Sequence, residues 1–261
     1  MLNAYFGEHI DLKMNLKLVL LKIVLLLFIT KINLLSQSLI VGIPSVDVAE
    51  KYHIEITHET QWKFWGDPKK WNSFNFACIG IGNNAELTAT FNNLTNGVSD
   101  NLAVGLGAKK VFELKKTNNV WESKVAVGGN LLYSTVRQNF GVWTYGLGSF
   151  RIPTTKTRFT GGLNYGQSQT FGFLELENGM PPKPQNLVTF LGGIEQPITK
   201  HISIIGDWYS GTHDLASFIP AIQIDIKKHV IILGYKFPNN QLSGNQAVII
   251  ECMFSIPTKK H

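Results

Sequence analysis

The feature that most constrains this chain is a series of about twelve extended stretches, joined by connections that are alternately short and long. Apolar and polar residues alternate along these stretches, which is the pattern of β-strands with two unlike faces. Lengths of about ten residues suit tilted strands that cross a bilayer. The pattern predicts strands at residues 53–62, 73–82, 85–94, 101–114, 120–136, 141–152, 157–167, 186–196, 201–210, 218–226, 229–238 and 246–257.

The connections fall into two sets. Those after even-numbered strands are five residues or fewer, as at Asn83-Asn84 and Lys227-Lys228, whereas most of those after odd-numbered strands are longer and one spans residues 168–185. Bacterial barrels have short periplasmic turns, longer extracellular loops and an even number of strands. The chain is therefore predicted to be all-β: a single closed antiparallel up-and-down transmembrane β-barrel of about 12 strands over residues 53–257, preceded by an N-terminal signal peptide.

The two faces separate clearly in the seventh predicted strand, where Phe159, Leu163 and Tyr165 alternate with Arg158 and Asn164. In a membrane barrel the apolar face contacts lipid and the polar face lines the lumen. A soluble β-sandwich would also alternate, with its polar face outside, and it remains an alternative. Two aromatic bands at the membrane interfaces are predicted from Trp62, Trp65, Trp71, Trp143 and Trp208 at one end and Trp121, Phe150 and Phe254 at the other.

The leader resembles a secretory signal peptide. Residues 1–37 contain an apolar run of about 13 residues, too short to span a bilayer, with Lys17 before it and Lys31 after it. Cleavage is expected near Gln37, and Met14 is the more natural start of translation. Residues 38–52 are assigned as a periplasmic lead-in to the barrel, and a plug inside it is the alternative.

The net charge gives no reason to expect a nucleic-acid partner. The chain carries a formal charge of +6, but residues 1–37 hold four lysines and two acids, which leaves +4 for the remainder. The remaining lysines are scattered in pairs at turns, such as Lys115-Lys116. The expected partners are instead outer-membrane lipid, the outer-membrane assembly machinery, and small solutes or cations.

The lumen is expected to be lined by charged side chains in which acids outnumber bases. Twelve strands lie between the eight that side chains can fill and the sixteen of an open porin, so a narrow channel or a plugged interior is predicted. An acidic lining would favour cations. The residues assigned to this lining are Glu55, Glu59, Glu86, Lys124, Arg158, Glu195, Asp207, Asp225, Lys236 and Glu251.

The sequence offers little for covalent or metal chemistry. No phosphate loop, dinucleotide fingerprint, zinc-binding motif or nucleophile elbow is present, and no cofactor or metal site is predicted. Cys78 and Cys252 lack metal-site spacing and are assigned to lipid-facing positions, with a disulfide between them left open. The enzymatic alternative is a lipid hydrolase, because outer-membrane phospholipases resemble a twelve-stranded barrel with a His-x-Ser pair and a neighbouring Asn, and His201 and Ser203 have this spacing.

The leader, the loop pattern and the stretches at residues 41–50 (VGIPSVDVAE) and 207–213 (DWYSGTH) resemble a group of uncharacterised bacterial outer-membrane β-barrel proteins. This resemblance covers nearly all of residues 39–257. It implies a porin-like or transport-related protein of the bacterial outer membrane and supplies no catalytic residues. One departure is that Phe254 is followed by seven residues, whereas many such barrels end in an aromatic residue that the assembly machinery reads. The sequence thus predicts a passive channel or binding scaffold rather than an enzyme.

Overall fold

The computed structural model describes residues 39–64, 71–92, 103–114, 122–134, 138–167, 186–213, 215–240 and 246–258. The expected signal peptide at residues 1–37 lies outside these ranges, as do Trp65, Trp121 and the loop at residues 168–185. No helix long and apolar enough to cross a membrane occurs in the described residues.

The described residues form twelve strands that agree with the sequence prediction to within two residues at each end. Residues 120–121 and 135–136, at the two ends of the fifth predicted strand, lie outside the described residues, and β6 begins two residues earlier than predicted. The strands are β1 His53–Trp62, β2 Trp71–Gly82, β3 Ala85–Asn92, β4 Ala103–Glu113, β5 Glu122–Ser134, β6 Asn139–Arg151, β7 Arg158–Gln167, β8 Asn186–Pro197, β9 Ile202–Tyr209, β10 Ser217–Ile226, β11 His229–Pro238 and β12 Ala247–Pro257.

The sheet closes on itself. Each strand pairs antiparallel with the next, and β1 pairs with β12 along its whole length, from His53 opposite Pro257 to Trp62 opposite Val248. Closure leaves no sheet edge, so the backbone groups of all twelve strands can be paired without water. The predicted closed antiparallel barrel of twelve strands is confirmed.

The tightest turns use residues that tolerate a left-handed backbone. Asn83 and Asn84 between β2 and β3 have φ of 54° and 55°. Two consecutive positive φ values define a type I′ turn, whose twist matches that of the flanking strands, and Asn adopts it readily. The register shifts between Gly80 and Gly82, which marks a bulge before this turn.

The outer face of the barrel is apolar. Leu106 and Val188 are 69% and 67% exposed, and the outward residues predicted from alternation, including Leu163, Phe190 and Ile204, are also exposed. A contiguous apolar surface of this size on all sides is the outer surface of a transmembrane β-barrel.

The inner face differs from the prediction because it is not uniformly polar. Buried apolar side chains project inward from many strands and form one cluster with residues that precede β1. The wall contributes Val111, Ala126, Leu147, Leu191, Ile205, Tyr209, Ile219, Ala221, Val230, Ile232, Ile249 and Met253 to this cluster.

Candidate functional site: the plugged lumen

The residues before β1 lie inside the barrel. Residues 39–50, named here the N-terminal plug, are almost entirely buried, and Ile43, Ser45 and Val46 have no exposed surface. A bridge pairs Leu39 with Pro44, and the Ile40 N–H donates to the Ile43 carbonyl oxygen at 2.9 Å, so the plug begins with a compact turn. Of the two possibilities that the sequence left open for this segment, the structure shows the plug; the assignment as a simple periplasmic lead-in does not describe residues 39–49.

A single carboxylate oxygen holds the tip of the plug. The Gly42 N–H donates to Asp207 Oδ2 at 2.7 Å, and the N–H groups of Val41 and Ile43 donate to the same oxygen at 3.2 Å. Three successive N–H groups that converge on one point form an anion-binding concavity. Asp207 projects from β9 and is buried, so the plug backbone supplies the partners that a buried carboxylate needs.

A second anchor is an ion-pair network around Asp47 of the plug. Its carboxylate contacts Arg158 on β7, and Lys124 on β5 donates to its Oδ1 at 2.9 Å. Arg158 is also bound by Glu195 of β8 through two hydrogen bonds of 2.5 Å. Burial by itself raises the pKa of the Asp47 carboxyl, but the charges of Arg158 and Lys124 together outweigh it and hold the pKa well below its usual range.

A third anchor lies on β3 and β4. Glu86 Oε2 accepts the Ala49 N–H at 2.8 Å, and its other oxygen is 3.0 Å from Lys109 Nζ. The Lys109 ammonium also reaches the Ser45 carbonyl oxygen at 3.5 Å. The plug is therefore tied to the wall on at least three sides by charged groups.

Glycines on the wall make room for the plug. A Cβ on Gly80 would overlap the carbonyl oxygens of Ala49 and Glu50, and a Cβ on Gly193 would lie 2.5 Å from Ile40 Cδ1. At Gly80 only a residue without a side chain permits this approach of the plug to the wall, whereas at Gly193 a side chain would displace the end of Ile40.

All ten side chains that the sequence assigned to the lumen lie on the inner face, and they do not form one site. Four of them, Arg158, Lys124, Glu195 and Asp207, belong to the plug anchors described above, and Glu86 belongs to the third anchor. Glu59 accepts from Gln61 Nε2 at 2.6 Å, Asp225 accepts from Gln223 Nε2 at 2.8 Å, and Lys236 Nζ lies 3.4 Å from Gln61 Oε1. Glu55 lies 3.7 Å from the Cys78 sulfur, and neither carboxylate oxygen of Glu251 has a hydrogen-bond partner among the described residues.

Several interior residues could not be predicted from the sequence. Asp47 lies in a segment without strand periodicity. Lys109 is followed directly by Lys110, so composition does not indicate which of the two lysines faces inward. A further interior group joins Tyr209 to Trp143 Nε1 at 3.0 Å and to the Asn164 amide at 2.6 Å.

Two assignments to the outer face are wrong. Cys78 is buried on the inner face beside Glu55, and Trp143 packs against the interior cluster instead of joining an aromatic band. Both errors have one cause: because the plug is partly apolar, the wall around it is apolar too, and hydrophobicity no longer identifies the lipid-facing side. Cys78 and Cys252 are not joined to each other, so the disulfide that the sequence left open does not form.

The residues of the enzymatic alternative do not interact. His201 Nδ1 lies 3.3 Å from the Asp225 carbonyl oxygen, and within the described structure no hydrogen bond joins its ring to Ser203. Among the described residues, no group of three or more His, Cys, Asp or Glu side chains could hold a metal ion.

No protein-family model matches the chain, and no curated protein sequence matches it. Several solved structures are similar to it in fold, among them the following two. The crystal structure of the Acinetobacter baumannii outer membrane protein Omp33 has 9% sequence identity and a TM-score of 0.41, and the match covers 79% of this chain and 99% of that one. The translocator domain of the autotransporter NalP from Neisseria meningitidis has 11% identity and a TM-score of 0.35, with 80% of this chain and 89% of that one covered.

Proposed function

We propose that this protein is a narrow, passive channel of the bacterial outer membrane that its own N-terminal plug closes. The apolar outer surface fits a lipid bilayer, and a closed barrel is the one sheet architecture that satisfies its backbone there. Export through a signal peptide and insertion by the outer-membrane assembly machinery belong to this proposal.

The observation that carries the proposal is the chemistry that holds the plug. Its tip, middle and end are bound by Asp207, by Arg158 with Lys124, and by Glu86 with Lys109. When the plug leaves and water fills the lumen, these charged groups can form hydrogen bonds with water in place of the plug. Apolar contacts have no such replacement, so a plug held by apolar packing alone could not be released in this way. A cleft of about 310 Å³ beside Asp47 and Lys124, on the short-turn side of the barrel, brings solvent to the plug.

Release of the plug would expose a lumen with an excess of negative charge. Apart from Asp47, which leaves with the plug, the buried charged side chains of the described residues comprise six acids and three bases. Rings of carboxylates favour cations, so the open state should be cation-selective.

Planar-bilayer recording of the full-length protein tests the proposal. Wild type is expected to be mostly closed, and Asp207→Ala combined with Gly193→Val is expected to conduct for most of the recording, because the first change removes the tip anchor and the second occupies the space of Ile40. Gly146→Val is the matched control, since a Cβ at Gly146 meets nothing within 4 Å. A doubly substituted protein that inserts in the bilayer but carries no current would refute the channel.

Selectivity gives a second readout. Of the acids that the sequence assigned to the lumen, Glu195 is bound to Arg158 and Asp207 is bound to the plug. Glu251, whose carboxylate oxygens have no partner among the described residues, is the sharper choice. In the released channel Glu251→Gln should lower the ratio of cation to anion permeability, and an unchanged ratio would place Glu251 outside the conducting path.

A further inference from the structure

Four polar side chains form a compact group on the outer wall. His58 and Thr60 of β1 are register partners of Asn75 and Ser73 of β2, in that order. These positions share the face of Ile56 and Trp62, which are 43% and 45% exposed, so the group faces outward and not into the lumen. This outer-wall cluster lies apart from the plug, and its assignment does not depend on the proposed channel.

Hydrogen bonds link the cluster in a defined direction. Asn75 Oδ1 lies 2.7 Å from His58 Nδ1, and His58 Nε2 lies 3.1 Å from Thr60 Oγ1. The Asn75 amide orientation is fixed because its Nδ2 donates to the Phe91 carbonyl oxygen at 3.3 Å.

This geometry determines where the protons are. Because Asn75 Oδ1 can only accept, the neutral His58 ring must carry its proton on Nδ1. Nε2 then has a free lone pair, and the Thr60 hydroxyl must be the donor to it. A hydroxyl that donates to an imidazole, which is in turn oriented by a third side chain, is the arrangement of an activated nucleophile with its general base.

The depth of the cluster suits an ester substrate. Thr60 lies two residues before Trp62, the last residue of β1 at the long-loop end, which is about 7 Å along a strand. Trp62 stacks on Phe64 at 4.5 Å and is exposed, as aromatic side chains at a membrane interface are. The ester bonds of membrane lipids lie at this interface, at the lower edge of the headgroups.

We propose that the outer-wall cluster is a hydrolytic site for ester-linked acyl chains of membrane lipids. Thr60 Oγ1 attacks the ester carbonyl carbon and its proton passes to His58 Nε2. The carbon–oxygen bond to the leaving alcohol breaks, and the alcohol takes that proton, which leaves an acyl group on Thr60. Water then attacks the acyl carbonyl and gives a proton to His58, and the proton returns to Thr60 Oγ1 as the fatty acid leaves.

Two neighbours complete the assignment. Asn75 is a positioning residue that holds the tautomer of His58. Ser73, the register partner of Thr60, is buried, so it borders Thr60 without contacting the substrate.

The test is fatty-acid release by the purified full-length protein in mixed micelles of detergent and phosphatidylcholine. Wild type should release fatty acid. Thr60→Val, which keeps the shape and removes the hydroxyl, should reduce release to background, while Thr60→Ser should retain activity. His58→Gln should lower kcat at least about 10²-fold. Mass spectrometry after a reactive ester should find the acyl group on Thr60.

Controls separate this site from its competitors. Asn75→Leu should lower kcat with KM nearly unchanged, and Asn75→Asp, which still accepts from Nδ1, should restore it. Ser203→Ala should leave fatty-acid release unchanged, because Ser203 lies on the inner face. Cys252→Ser should also leave it unchanged, because Cys252 is the register partner of His58 but is not one of the hydrogen-bonded residues of the cluster. No release by folded wild type, or full release by Thr60→Val, would overturn the proposal.

Discussion

Replacing Asp207 with alanine removes the one oxygen that accepts three N–H groups of the plug tip. A buried N–H left without a partner costs about 1–3 kcal/mol, so three of them cost at least about 3 kcal/mol. Relief of the cost of burying the Asp207 carboxylate offsets part of a larger sum. We therefore expect the docked plug to be destabilised by about 3 kcal/mol, which is roughly 10²-fold in the docking equilibrium.

The assay measures how often the plug leaves the lumen. Val46 is fully buried, so a thiol in its place reacts with a maleimide only when the plug undocks. In a background where Cys78 and Cys252 are replaced by alanine, Val46→Cys should label slowly, and Asp207→Ala should raise the labelling rate about 10²-fold.

Asp225→Ala is the matched control, since this inward acid of β10 accepts from Gln223 and has no hydrogen bond to the plug. An equal labelling rate with and without the Asp207 carboxylate would refute the assignment of Asp207 as the tip anchor. A rate raised as much by Asp225→Ala would show a general loosening of the barrel.

Three further outcomes follow from the same anchors. Gly80→Ala should lower the thermal unfolding temperature in detergent, because its Cβ would overlap two plug carbonyl oxygens, whereas Gly148→Ala, with open space around it, should not. Arg158→Met should lower stability by about 3–5 kcal/mol in denaturant unfolding, since it removes the partner of Glu195 and one of the two cations that pair with Asp47; an unchanged midpoint would contradict the ion-pair network. Because the pKa of Asp47 is held below its ordinary value of about 4, its ion pairs stabilise the docked plug at neutral pH and lose that contribution only as the pH falls below about 4. The labelling rate of Val46→Cys should rise in that acid range, and Asp47→Asn should label fast at neutral pH with little further acid response.

The strands could be predicted from sequence because each is set by local information. Alternation of apolar and polar residues predicts each strand, and turn residues such as Asn83 and Asn84 mark where it ends. The twelve strands and the closed barrel are therefore predicted with only small errors at the strand boundaries. The inward placement of side chains such as Arg158 and Glu195 follows from the same period of two.

The plug could not be predicted in the same way. Residues 41–50 have no period that distinguishes a buried segment from a lead-in, and their partners, such as Asp207, are more than 150 positions away. The wall around the plug is partly apolar, so an apolar side chain in these strands does not always face lipid. For this reason the sequence predicts the wrong face for Cys78 and Trp143. The outer-wall cluster could not be predicted for a related reason: the contacts among His58, Thr60 and Asn75 depend on the register of β1 against β2, which the sequence alone does not give.

The most direct test of the central claim, that residues 39–50 occupy the lumen, is a thiol crosslink between plug and wall. A Cβ at position 193 would lie 2.5 Å from Ile40 Cδ1, so cysteines at positions 40 and 193 are close enough for a short bifunctional reagent. In a protein without its native cysteines, Ile40→Cys with Gly193→Cys should crosslink in the membrane, whereas Ile40→Cys with Ile194→Cys, whose side chain points outward, should not. Equal crosslinking of both pairs, or of neither, would contradict a plug seated inside the barrel.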